Sequence, residues 1–385
     1  MNITLLILNP STNDARVHKE AKTLASHGHQ VIVVALWQEG LKRYEKQAGY
    51  EIIRLCLLTR KWRGRSVAPL AKFLEFNVRV WQLAGQCPAD IYHANDALTL
   101  PAAWLAAHRN RAKLVYDARE LETGRNFSGS HLAAFYRRIW ALPEKIFIRQ
   151  TDAAFTVNES IADELVRLYR IPRPAVVMNC PEYLPVPRTN RLREEMKIPA
   201  DQKILLYQGL IARGRGIERL IQSIQLLTDI SVVALGEGPA LEEYRDQVSS
   251  GQWKRVYLPG KVALAELPSY TASADIGVLL IEDTCLSYHL SLPNKLFEYI
   301  HAGLPVIASD LPEIARVVSM HQIGEVVKPD DPQDIASAIS RLLNDPVRYS
   351  QYRSNTKTAA ANFTWEQESK NLLAIYGSLE QKIQT

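Results

Sequence analysis

Leu292-Pro293-Asn294-Lys295-Leu296-Phe297-Glu298-Tyr299-Ile300-His301-Ala302-Gly303-Leu304-Pro305-Val306-Ile307-Ala308-Ser309-Asp310 reads as a helix that runs directly into a buried strand. Pro293 suits the first helical turn, where its missing N–H costs nothing, and Gly303 suits the position past the helix end. Val306 to Ala308 is wholly apolar, as strands covered on both faces of a parallel sheet are. The helix begins after another apolar strand pattern, Ile276 to Ile281, at the carboxyl end of a parallel strand, where open α/β sheets bind ligands. Free amides and the positive dipole end there favour a phosphate. Glu298, one and a half turns in, would reach hydroxyls beside it. On spacing alone, a solvated helix face is the favoured reading of Asn294, Lys295 and Glu298.

Outward from this segment the alternation continues. Ile204 to Tyr207, Val232 to Leu235, Val256 to Leu258 and Gly324 to Val327 are further strands of the same sheet. Upstream, Cys180 to Pro199 holds Pro181, Pro185, Pro187 and Pro199 among charged residues, a linker signature. Before it lies a second series: Ile3 to Leu8, a helix with Val17, Ala21, Leu24 and Ala25 closed by Gly28, then Val31 to Leu36, Ile52 to Leu55, Ile91 to His93, Leu114 to Asp117, Ala154 to Val157 and Val176 to Met178. A chain of 385 residues exceeds what one core usually serves. The prediction is therefore α/β: two Rossmann-like parallel-sheet domains facing across a cleft. Residues 1–180 form the first domain, 181–199 the linker and 200–362 the second domain. A last helix within 363–385, capped by Thr364 with Gln367 at the capping-box position, is expected to pack back on the first.

Composition excludes several classes. Hydrophobic content of 47% and charged content of 23% are those of ordinary globular proteins. A net charge of +5, small against 46 basic residues, suits an anionic partner such as a phosphate or a lipid surface without specifying one. Cys56, Cys87, Cys180 and Cys285 form no CxxC pair, so they read as buried thiols of a reducing cytoplasm. Ile3 to Leu8 is too short for a signal peptide, and no stretch is long enough to span a bilayer, which limits membrane contact to a peripheral one at the inner face. Arg60, Lys61, Arg63 and Arg65 before a helix with Leu70, Phe73, Leu74, Val78 and Trp81, and the run Phe135 to Trp140, fit either a membrane-surface acceptor or ordinary helix packing; for at least one of them packing is favoured. His18, His93, His289, His301 and His321 lack metal-ligand spacing, no DxD pair occurs, and Asp330-Asp331 reads as a helix start before Pro332. No metal, no cofactor and no nucleic acid are expected.

Tyr207-Gln208-Gly209-Leu210-Ile211-Ala212-Arg213-Gly214-Arg215-Gly216 joins a strand to a helix holding Leu220, Ile221 and Ile224. Three glycines and two arginines offer close backbone approach and charge-assisted bonds to phosphate, although neither the GxGxxG nor the P-loop pattern is present. A flexible basic surface turn is an equal reading of this segment alone.

Together these segments resemble the family-4 retaining glycosyltransferases of the GT-B fold along nearly the whole chain. Asp14-Ala15-Arg16-Val17-His18-Lys19-Glu20-Ala21, Tyr116-Asp117-Ala118-Arg119-Glu120-Leu121, Gly236-Glu237-Gly238-Pro239 and Leu258-Pro259-Gly260-Lys261 are similar to further family segments in the same order. The resemblance implies a metal-independent, retaining hexosyltransferase (EC 2.4) taking a UDP-sugar, with UDP-glucose the first choice, to a saccharide or lipid-linked acceptor in polysaccharide or glycoconjugate synthesis. It implies that Arg215, helped by Arg213, neutralises the pyrophosphate beside Gly209. The base would lie on Gly260, Lys261 and Val262. Ser291, Leu292, Asn294 and Lys295 would hold the phosphates and sugar, and Glu298 the ribose. From the acceptor-side domain, the loop with Asn13, Asp14 and Arg16 would close over the donor, with Asp117, Arg119 and Glu120 facing the reacting sugar.

Three positions depart from the family pattern. Leu290 replaces a frequent glutamate, Leu210 a frequent arginine, and Arg119 a frequent histidine. Leu290 gives weight to a rival, a non-catalytic nucleotide-sugar-binding partner; an epimerase or phosphorylase is the rival within the fold.

Overall fold

The computed structural model describes residues 1–12, 14–62, 68–124, 141–184 and 186–384. They form two compact units, Met1–Asn179 with Glu368–Thr385, and Cys180–Gln367.

The first unit is built on eight strands: β1 (Asn2–Leu6), β2 (Gln30–Leu36), β3 (Tyr44–Lys46), β4 (Glu51–Leu55), β5 (Ile91–Ala94), β6 (Lys113–Ala118), β7 (Ala153–Thr156) and β8 (Ala175–Val176). Their order is β3-β4-β2-β1-β5-β6-β7-β8. All pairs are parallel except β3 with β4. β1 and β5 are buried almost throughout because their apolar side chains meet helices on both faces. The topology switches direction between β1 and β5, so the loops after β1 and β5 open the ligand-side crevice of this sheet. The loop after β1 ends at Asp14, whose carboxylate accepts from the Val17 amide and caps the helix Ala15–Ser26. β3 lies outside the sequence reading: Tyr44-Glu45-Lys46 is short and largely polar, and it pairs because Arg54 of β4 reaches the Lys42 carbonyl at 2.9 Å and Glu45 at 2.7 Å. The helix Trp365–Gln384 starts at Thr364, whose hydroxyl accepts from the Gln367 amide at 3.3 Å. From Glu368 onward this helix is part of the first unit, where Tyr376 bonds His93 of β5.

The second unit carries β9 (Lys203–Gln208), β10 (Ile230–Leu235), β11 (Val256–Gly260), β12 (Ile276–Leu279), β13 (Val306–Ser309) and β14 (Gly324–Val327), in the order β11-β10-β9-β12-β13-β14. Every pair is parallel, and β9 and β10 run in register from Lys203↔Ile230 to Gln208↔Leu235. Leu220, Ile221, Ile335 and Ile339 from helices Ile217–Ile224 and Pro332–Leu343 pack on one face. Residues 181–199, read as a linker, include a helix, Arg191–Met196, tied to this unit by Arg191 to Glu266 at 2.8 Å. Here the direction switches between β9 and β12; helix Ile217–Ile224 follows β9, and Asn294–His301 follows β12 after the short helix Leu286–His289.

Candidate active site

In the second unit the carboxyl ends of β9, β10 and β11 run into Gly209, Gly236 and Gly260, with φ of 125°, 150° and 92°. The Gly209 amide donates to the Leu235 carbonyl and the Gly236 amide to the Gly260 carbonyl, each at 2.9 Å. A Cβ on Gly236 would overlap the Gly209 carbonyl, so only bare backbone permits this shelf. The chain then turns through Gly214 to Gly216, the N-cap of helix Ile217–Ile224, where a Cβ would strike the Leu280 carbonyl just beyond β12. The glycine-rich turn is thereby fixed against the strand that leads to the second helix start.

That helix, Asn294–His301, has Pro293 at its N-cap with ψ of 143°, one position before the first turn suggested by sequence, because its extended ψ keeps it outside the helix. Lys295 on its first turn lays Nζ over the Tyr207 ring, 3.7 Å from the centroid. Arg215 lies over Tyr288 at 4.5 Å. Neither cation has a carboxylate within ion-pair distance among the described residues, and the Arg215 Nε is a buried donor with no hydrogen-bond partner. Burial pushes Lys295 down to about 7, with Arg215 adding to the shift and Glu298 opposing it. A Cβ on Gly209 would lie 3.8 Å from Lys295 Nζ, so cation and backbone shelf adjoin. Glu298 accepts from the Gln208 amide group, while Gln208 Oε1 accepts from Thr271 at 2.9 Å. The buried Tyr299 hydroxyl sits between the Leu206 and Val278 carbonyls at 3.0 and 3.1 Å, anchoring the helix to β9 and β12.

The other expected donor residues are placed less uniformly. Arg213 is 74% exposed and pairs with Glu243 at 2.5 Å, turned toward solvent and not into the group around Arg215. Lys261 is exposed with Nζ 3.6 Å from Glu237, and Val262 is half-buried beyond Gly260. The Ser291 hydroxyl donates to the Tyr288 carbonyl at 2.8 Å; Leu292 is buried and Asn294 exposed. Tyr207 and Tyr288 were not singled out by sequence, since the pairing of an aromatic face with a cation leaves no spacing signal.

In the first unit the ends of β1, β5 and β6 gather a charged cluster. Arg16 clasps Asp117 through Nε and Nη2 at 2.8 and 3.0 Å and donates Nη1 to the Val177 carbonyl. Arg119 donates Nε to Asp117 at 2.9 Å, Nη1 to Asp14 and Nη2 to Asn95. Burial alone would raise Asp117, but the Arg16 and Arg119 guanidiniums hold it below its ordinary value. Glu20 lies 2.9 Å from Arg16 Nε, yet that N–H is directed at Asp117, and neither Glu20 oxygen is hydrogen-bonded. Burial pushes Glu20 up to about 7 against the pull of Arg16. His93, bonded at Nδ1 to Tyr376 at 2.8 Å, is pushed down by burial to about 3. Ligand atoms of Glu20, His93 and Asp117 lie within 4.8 Å of one another, the one grouping among the described residues with metal-ligand proximity, and the two guanidiniums already supply positive charge to it.

Asp117 is wholly buried and Arg119 is committed to three partners, so these two hold the Asp14 loop in place and do not face outward. Glu120 is exposed beside them. Asn13, Arg63, Arg65 and the run 135–140 lie outside the described residues.

Two family models match: glycosyltransferase family 4 over residues 15–181, and glycosyl transferases group 1 over residues 202–345. The chain belongs to the group 1 glycosyltransferases. This glycosyltransferase is 24% identical to a D-inositol 3-phosphate glycosyltransferase of Stackebrandtia nassauensis over 76% of its own length and 69% of that protein's. It is 22% identical to an uncharacterized glycosyltransferase of Methanocaldococcus jannaschii over 92% of its length and 91% of the other's. Among solved structures, sucrose-phosphate synthase from Thermosynechococcus elongatus superposes with a TM-score of 0.83 at 18% identity, covering 99% of this chain and 100% of that one. Anabaena HepE in complex with UDP-glucose superposes with 0.74 at 15% identity, covering 99% and 100%. These likenesses establish the GT-B fold.

Proposed function

We propose that this glycosyltransferase moves a hexose from a UDP-sugar, UDP-glucose in the first instance, to a saccharide or lipid-linked acceptor with retention of configuration and without a divalent metal. The observation that carries the reading is the pair Arg215 and Lys295: two cations seated on aromatic faces, without ion-paired carboxylates among the described residues, beside a backbone shelf of glycines at the switch point of a parallel sheet. A diphosphate supplies the missing counter-charge. It binds across both cations, its charge neutralised by side chains in the place a metal would otherwise fill. Glu298, already oriented by Gln208, takes the ribose hydroxyls, and Gly260 to Val262 support the base. A solved structure of the same fold that holds UDP-glucose supports the choice of donor.

The leaving β-phosphate gains charge as the glycosidic bond breaks, and Arg215 meets that charge. The departing phosphate itself takes the proton of the incoming hydroxyl, so the buried, doubly paired Asp117 is not needed as a base. Arg215→Ala should therefore lower kcat more than it weakens donor binding. The test is steady-state kinetics with UDP calorimetry on the wild type and Arg215→Ala, each with and without chelator. Unchanged turnover in folded Arg215→Ala would remove the pyrophosphate from this turn, and activity abolished by chelator and restored by Mg²⁺ would overturn metal independence.

A further inference from the structure

The helix Ala68–Gln86 carries more apolar surface than its core side uses. Phe76, Val80 and Ala84 are buried, as expected of the core side. A second line of the helix is also apolar: Leu70, Leu74, Val78 and Trp81 are 53%, 55%, 54% and 43% exposed. Their spacing of four, four and three residues sets them along one face of the helix. Beside them, Leu58 and Trp62, 67% and 41% exposed, flank the short 3₁₀ turn Leu58–Lys61. That turn is fastened to the helix by Glu75, which accepts from the Leu58 and Thr59 amides and the Thr59 hydroxyl at 2.7 to 2.8 Å. A fixed, exposed apolar ridge marks a binding surface.

Charge selects the partner. The helices Ala68–Gln86 and Leu100–Asn110 carry Lys72, Arg79 and Arg109 against a single acid, Glu75, and Arg111 follows at once. Glu75 is already engaged by the turn and by Arg79 at 2.7 Å. Arg109 stacks on Trp81 with its guanidinium 4.0 Å from the ring centroid, an aromatic–cation pair at the rim of the ridge. An apolar helix face with Trp at its edge and arginines at that edge is what the headgroup region of an anionic bilayer accommodates.

We propose that this face of the first unit seats on an anionic lipid surface, with Leu70, Leu74, Val78 and Trp81 entering the acyl boundary and Arg109 and Arg111 meeting the headgroups. The proposal stands independently of the donor-site reading. It is tested by co-sedimentation of the full chain with vesicles of phosphatidylcholine alone and of phosphatidylcholine mixed equally with phosphatidylglycerol. Binding is expected to the mixed vesicles, weakened by salt and weak or absent with phosphatidylcholine alone. Leu74→Glu/Val78→Glu should lower the partition by about tenfold or more, since two exposed apolar side chains no longer enter the bilayer. Arg109→Gln/Arg111→Gln should lower it on the anionic vesicles only. All four positions lie outside the donor machinery, and circular dichroism melts check that each variant folds. Absence of the wild type from both pellets, equal binding to both vesicles, or binding unchanged in Leu74→Glu/Val78→Glu overturns the proposal. A dimer in sedimentation velocity that the same double variant dissociates also overturns it, making the ridge an interface between copies.

Discussion

At the scale of single residues, Lys295 and Arg213 illustrate what a sequence conveys and what it withholds. Both are basic residues near a glycine or a helix start, and both read as phosphate ligands. In the fold, Arg213 points outward to Glu243 while Lys295 lies over Tyr207. The direction of a side chain leaving a turn depends on backbone dihedrals that composition does not encode. Lys295 carries a specific consequence. Its amine is pushed down to about 7 by burial and by Arg215, so above that pH the unliganded protein holds it largely neutral. A diphosphate favours the charged form, and binding must then take up a proton. UDP affinity should fall as pH rises above about 7, by up to about tenfold per unit. Calorimetry of UDP in buffers of differing ionisation enthalpy measures the uptake directly. Affinity independent of pH from neutral to mildly alkaline conditions, with no proton taken up, would show that Lys295 is already charged or does not meet the ligand.

At the scale of elements, the apolar strands were largely legible because fully buried parallel strands write continuous Val, Ile and Leu runs, and helix ends were legible through caps. Asp331 before Pro332 accepts from the Gln333 and Asp334 amides as a helix-start signal should. β3 escaped because three residues held by Arg54 have no period of their own. What no strand pattern could reveal is how closely neighbouring strand ends approach. Gly236 has φ of 150°, and a Cβ there would overlap the Gly209 carbonyl, whereas Gly251, with φ of 78°, has nothing within 4 Å. Both Gly→Ala changes incur backbone strain, but only Gly236→Ala also forces β9 and β10 apart. It should destabilise by about 1–3 kcal/mol beyond Gly251→Ala and weaken UDP binding, because the displaced Gly209 adjoins Lys295. Urea denaturation and UDP titration of the two variants decide it. Equal effects would mean that the strand ends relax without disturbing the site.

At the scale of the whole molecule, two sheets were readable from alternation and length, but neither the membership of Glu368–Thr385 in the first unit nor the buried charge beneath that unit's loops was. Asp14, Arg16, Glu20, His93, Asp117 and Arg119 come from three separate strand–loop junctions, and a chain pattern cannot announce that a carboxylate such as Glu20, one turn along an amphipathic helix, is fully buried. This cluster sets a pH signature for stability. Glu20 ionises at about 7 in the folded unit against an ordinary 4.5, so between those values the native protein holds a proton that the unfolded chain has released. Stability from this group is therefore complete below the lower value and is lost as pH rises through the higher one. His93 acts in the opposite sense, since its value is pushed down to about 3 from 6.5 and the unfolded chain gains the proton first on acidification. A wild-type melt alone mixes the two contributions. Glu20→Gln separates them, because it retains the shape of the neutral acid and removes its titration. The Tm advantage of the wild type over Glu20→Gln should be greatest near the lower of the two Glu20 values and should shrink, or reverse, as pH rises through the higher. An advantage that instead grows with pH would mean that Glu20 is ionised in the native protein and that Arg16, not a retained proton, balances it.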